Sequence, residues 1–90
     1  MKGQPTDAVK DFTVVCIQNL SMCTNNLGEY HETVQNCTGA IGLKPDTAVK
    51  AYYHRSVANL KLKNYDEALQ DARKANEIDP KNGPVREIYE

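Results

Sequence analysis

The segment LGEYHETVQNCTGAIGLKP at positions 27–45 lies without a gap over LKNYDEALQDARKANEIDP at 62–80. Leucine, tyrosine, glutamate, glutamine, alanine and proline fall in register, and Tyr30 and Tyr65, like Pro45 and Pro80, stand 35 residues apart. In a chain of 90 residues that period leaves room for about two copies of one supersecondary unit. Such a unit buries its apolar side only against a neighbour, so the period dictates a stacked array of like pieces.

Within the copies the apolar spacing is helical. Ala8, Phe12, Val15 or Cys16, Leu20, Cys23 and Leu27 fall on one face of a first helix. Thr6, after Pro5, is placed to cap its start and Gly28 to end it. A second helix is expected over 29–41, with Tyr30, Val34, Cys37 and Ile41 on its buried stripe and residues 42–45 closing it. A third runs from 46 or 47 to 62. The fourth opens at Asn64 in a capping box with Glu67 and stops before Asp79 and Pro80. A fifth starts at Pro84, a favourable first helical position. No alternating segment is long enough for a strand. The expected fold is therefore all-α, built of antiparallel helix-turn-helix repeats: repeat A at about 6–45, repeat B at about 46–80, and the start of a terminal helix at 84–90.

Charge and cysteine content narrow the functional classes. Eleven basic residues against twelve acidic give a net charge of −1, too little positive excess for wholesale phosphate neutralisation, so nucleic acid is not an expected partner. The longest apolar run, VVCI at 14–17, cannot span a bilayer. The opening MKGQPTDAVKD lacks the apolar core of a secretory signal, which points to a reducing, cytoplasmic setting. Cys16, Cys23 and Cys37 form no C-x-x-C pair and, with His31 and His54, match no common zinc spacing; they read as small buried hydrophobes. Nothing supplies an orienting group or oxyanion site for cysteine-histidine catalysis. No catalytic residue, metal or cofactor is expected. The charge pair Asp71 with Lys74 reads as ordinary helix-surface support.

A helix pair recurring at about this period and closing in proline resembles the tetratricopeptide repeat. Laid on that pattern, the first copy supplies Ile17, Leu20, Ser21 and Thr24, then Thr33, Cys37, Ala40 and Pro45. The second supplies Tyr52, Arg55, Ser56 and Asn59, then Ala68, Ala72, Ala75 and Pro80. The small residues stand where helices approach closely. Thr24, Asn59 and Thr33 depart from the usual tyrosine, tyrosine and alanine. The local sequences are similar to FKBP-type immunophilins and their aryl-hydrocarbon-receptor-interacting relatives. NLSMCTNNLGEY resembles their N-L-A-x-C-x-x-K-L-x-x-[YW], and VKAYYHR resembles their V-K-A-L-Y-R-R.

The resemblance implies an interaction module, possessing no catalysis of its own, whose first helices line a concave groove for the acidic C-terminal peptide, of the EEVD type, of cytosolic heat-shock chaperones. Lys50, His54, Val57 and Lys61 follow at spacings of 4, 3 and 4 on the third helix, and Val15, Asn19, Met22 and Asn26 form the equivalent stripe on the first. By resemblance Asn19 is the clamp asparagine and Lys50 the clamp lysine; His54 stands in place of the clamp arginine, and Arg55 belongs to the packing side. A terminal carboxylate offers only acceptors, so an ammonium and an amide suit it, whereas histidine offers a single donor where arginine offers a fork. Peptide binding is thus expected of Asn19, Lys50, His54, Met22, Asn26, Val57 and Lys61. The same residues have a plainer reading: solvated lysines, an asparagine satisfying the backbone, a packed histidine.

About three such repeats are normally needed for independent stability. Two copies imply either a fragment of a larger array, such as the accessory part of a peptidyl-prolyl isomerase, or a chain that completes itself. In that case the first helix carries an uncovered apolar face, and a homodimer or helix exchange is expected.

Overall fold

The computed structural model describes residues 6–80, which form four helices: α1 (Asp7–Asn26), α2 (Tyr30–Leu43), α3 (Val49–Lys61) and α4 (Tyr65–Ile78). The helix expected from Pro84 lies outside the described residues. Successive helices pack on each other as antiparallel neighbours, and α1 also packs on α3. The two hairpins therefore stack, as the 35-residue period requires, and the all-α repeat fold is borne out.

Local chemistry accounts for most helix ends. The Val9 amide donates to Thr6 Oγ1 at 3.2 Å, capping α1. At the other end Gly28 takes φ +80°, and the Glu29 amide reaches back to the Thr24 carbonyl at 2.8 Å. This is the left-handed stop that glycine adopts without a steric penalty. The second copy repeats the bond, Asn64 amide to Asn59 carbonyl at 2.8 Å, with Lys63 at φ 68° in the glycine's place. The capping box expected at Asn64 does not form. Its side-chain amide instead donates to Asn59 Oδ1 at 3.2 Å, across the left-handed turn at Lys63.

The core is made of small side chains. Ala40, Ala48, Ala51, Ala58, Ala68, Ala72 and Ala75 are buried, and Ser21, Thr33, Cys37 and Ser56 are the largest side chains that are fully enclosed. Helices meeting through such residues approach closely, and their polar atoms find partners across the seam or on their own helix. The Cys37 thiol donates to Ser21 Oγ at 3.2 Å, Ser56 Oγ to the Tyr53 carbonyl at 2.6 Å, and Thr24 and Thr33 share a hydrogen bond. That bond joins the two positions at which this copy departs from tyrosine and alanine. Burial pushes the Cys37 thiol above its ordinary range, so it stays protonated.

Two sequence expectations are corrected here. Cysteine as a buried hydrophobe holds for Cys37, but Cys16 and Cys23 are exposed. Nor does Asp71 serve the surface. Its carboxylate takes two bonds of 2.7 Å from Arg55 Nε and Nη2 across the α3 and α4 seam, and Lys74 pairs instead with Glu77.

Candidate functional site

Two hydrogen bonds hold α1 beside α3. The Ala51 amide donates to Gln18 Oε1 at 3.1 Å, and Asn25 Nδ2 donates to the His54 carbonyl at 3.1 Å. The first supplies a cap that α3 lacks locally, since Ala48 offers no side-chain acceptor to the amides of its opening turn. Because residues 18 and 25 ascend α1 as 51 and 54 ascend α3, the two helices run in the same direction. Asn19 and Lys50, each one residue from a bonded partner, stand at a similar level.

Between the two helices lies an open groove of about 220 Å³, lined by Met22, Asn25, Asn26, Tyr53, His54 and Val57. Four of the residues expected from the two stripes, Met22, Asn26, His54 and Val57, come together in it. Asn19, Lys50 and Lys61 are exposed and lie outside that lining. Lys50 is one turn before His54 and Lys61 one turn after Val57. Asn25, bonded to the His54 carbonyl, and Tyr53, packed toward Tyr52 and Ala75, are additions to the stripes. Tyr53 is tilted 52° against the His54 ring, centroids 5.3 Å apart. The lining contains no carboxylate.

Burial, and to a lesser degree the positive charge of Lys50, holds His54 below its ordinary pKa of 6.5. It is therefore neutral at pH 7. A histidine depressed on folding contributes stability that is present above its unfolded pKa and is lost as pH falls through the folded value. Wild-type melting temperature is thus expected to fall more steeply than that of His54→Gln on acidification below about pH 6.5. Parallel curves for the two proteins would show that the ring is not desolvated.

A second hollow, of about 260 Å³, opens on another face among Val34, Arg55, Asn59, Glu67, Gln70 and Asp71. It suits an acidic ligand poorly. Arg55 is committed to Asp71 and, through Nη1, to Thr38 at 3.0 Å, while Glu67 adds a negative charge. This places Arg55 on the packing side, apart from the groove. Among the described residues no cluster of three histidine, cysteine or acidic side chains is placed to hold a metal, and no helix is long and apolar enough to cross a membrane.

The second hairpin, with its buried Tyr52, Ser56, Ala68, Ala72 and Ala75 and its closing Pro80, lies within the region 49–82 that matches the tetratricopeptide repeat family. Residues 49–82 are a tetratricopeptide repeat. The first hairpin buries Ser21, Thr24, Thr33, Cys37 and Ala40 at the corresponding positions. Tetratricopeptide repeats are interaction modules and not catalytic ones. Over 61 residues the chain is 34% identical to the DnaJ homolog subfamily C member 7 homolog of Dictyostelium discoideum, covering 68% of this chain and 11% of that protein. It is 29% identical over 76 residues to FK506-binding protein 59 of Drosophila melanogaster, covering 84% of this chain and 17% of the relative. Sperm-associated antigen 1 of Homo sapiens is 39% identical over 62 residues, 69% of this chain and 7% of that protein. The chain thus spans a minor part of each of these relatives. They bear out the likeness to tetratricopeptide proteins that include an FK506-binding protein.

Proposed function

We propose that the groove between α1 and α3 takes the acidic C-terminal tail of a heat-shock chaperone, of the EEVD type. These residues would then be the non-catalytic part of a longer cytoplasmic co-chaperone of the FKBP type. The observation that carries this reading is the carboxylate-free groove with Lys50 and Lys61 on the same stripe of α3, one turn beyond His54 and Val57 at its two ends. Lys50 supplies the ammonium and Asn19 the amide for a terminal carboxylate. Asn26 adds donors further along, and Met22, Tyr53 and Val57 give apolar contact to side chains of the tail. The FK506-binding and DnaJ-type names of the relatives support the chaperone setting.

His54 adds a pH dependence of definite sign. A bound carboxylate favours the protonated ring, so binding takes up a proton, and the tail binds more tightly at pH 5.5 than at 7.5. Fluorescence anisotropy with a labelled EEVD-ending peptide tests the proposal. Lys50→Ala is expected to weaken binding about tenfold or more, as loss of a hydrogen bond to a charged group does. Amidating the peptide's C-terminus removes the charge to be gripped and is expected to abolish binding. An amidated peptide that binds as well as the free acid, or a Lys50→Ala protein of unchanged affinity, overturns the reading.

A further inference from the structure

The stripe of α1 that leads the sequence pattern is not the face that enters the core. Val14, Gln18, Ser21 and Thr24 are buried, whereas Val9 is 52% exposed, Phe12 69%, Leu20 50% and Leu27 72%, with Cys16 and Cys23 exposed between them. At the 35-residue offset Cys16 corresponds to Ala51 and Cys23 to Ala58, both fully buried in α3. This face of α1 therefore has the character of a packing surface, and nothing among the described residues covers it.

The stripe is also symmetric along the helix. Counting outward from a point between Asn19 and Leu20, Cys16 mirrors Cys23, and Phe12 mirrors Leu27. None of these residues is charged, so a two-fold axis through the centre brings no charge against its own copy. An isologous interface requires this kind of self-complementarity.

We propose that α1 pairs with α1 of a second copy of this chain, antiparallel, with Phe12 against the partner's Leu27 and Cys16 against the partner's Cys23. The small cysteines let the two helices approach near the centre, and the aromatic and leucine side chains close both ends. The exposed stripe offers on the order of 1,000 Å² in total from the two copies, the lower edge of specific interfaces, so the dimer is a weak one that dissociates on dilution. Phe12, Cys16, Leu20, Cys23 and Leu27 do not line the groove of Met22, His54 and Val57, and only Asn19, at the centre of the stripe, is common to both readings, so cross-linking and the test on Lys50 fail independently.

Within one helix Cys16 and Cys23 are two turns apart, about 10 Å along the axis, too far for an intramolecular disulfide. A disulfide between them forms only across copies. The proposal is tested with diamide, which takes up two electrons and two protons as the thiol pair becomes a disulfide. The wild-type chain is expected to give a covalent dimer on non-reducing gels. Cys16→Ser and Cys23→Ser alone are each expected to lose it, because like cysteines are set apart along the antiparallel pair. A mixture of the two variants is expected to recover it. Sedimentation without oxidant is expected to show a concentration-dependent dimer that Leu20→Glu reduces to monomer. Leu20 is half exposed, so that variant keeps its fold, and its helical circular dichroism remains as in wild type. Cross-linking by each single-cysteine variant alone overturns the antiparallel register. A wild-type chain that stays monomeric at several hundred micromolar, or a dimer that survives Leu20→Glu, overturns the pairing and leaves the stripe to another covering helix.

Discussion

Replacing Arg55 with methionine is expected to lower the stability of this chain by about 3–5 kcal/mol, the cost of leaving a buried charge without its partner. Arg55 holds Asp71 with two bonds of 2.7 Å. The Asp71 side chain is only 7% exposed, so water does not replace the lost donors. The same guanidinium reaches Thr38 on α2 and lies 5.9 Å from the centre of the Tyr52 ring. One side chain therefore ties α2, α3 and α4 together. Methionine fills the volume of the stem, which separates the charge effect from a cavity. A small domain has a total stability of about 5–15 kcal/mol, so the urea midpoint drops sharply or the chain unfolds outright. The double variant Arg55→Met with Asp71→Leu is expected to recover most of the loss, because no unpaired charge remains. A single variant that melts with the wild type would mean that Asp71 is hydrated in solution.

The second large effect is expected at Gln18. Gln18→Met preserves length and adds apolar surface, yet it removes the acceptor of the Ala51 amide and leaves a buried donor unmatched, at a cost of about 1–3 kcal/mol. The expected readout is a lowered denaturation midpoint together with faster amide hydrogen exchange at Ala51. Because this bond and the one from Asn25 set α1 beside α3, peptide affinity is expected to fall as well, although Gln18 does not line the groove. Unchanged exchange at Ala51 would show that another group caps α3.

These two residues also show where reading from sequence stops. Thr6, Gly28, Pro45 and Pro80 announce helix boundaries because capping and breaking act within one turn of the chain, and the structure follows them closely. Asn64 and Glu67 have the same local signature, yet Asn64 makes no cap bond and its side chain binds Asn59 at the end of α3. The apolar period of α1 is equally clear in the sequence, but periodicity says that a face will pack and not what packs on it. Gln18, a polar residue between Ile17 and Asn19, carries no sign that its partner lies 33 residues ahead. Asp71 gives a plausible surface pair with Lys74 on spacing alone, and only the approach of α3 to α4 assigns it to Arg55.

In the groove, Met22, Asn26, His54 and Val57 were legible as stripes because helical spacing fixes which side chains share a face. Asn25 and Tyr53 were not, since they sit at the edges of those stripes and belong to the groove only through the angle at which α1 meets α3.

The order of residues was enough to set the four described helices, most of their boundaries and the period of the array, because each depends on hydrogen bonds and sterics among near neighbours. Tertiary structure alone decided which face of α1 is enclosed, which acid Arg55 holds and how wide the groove stands. Those outcomes depend on distances between helices, and small side chains such as Ala51, Ala58 and Ser56 permit close approach without naming the partner that makes it.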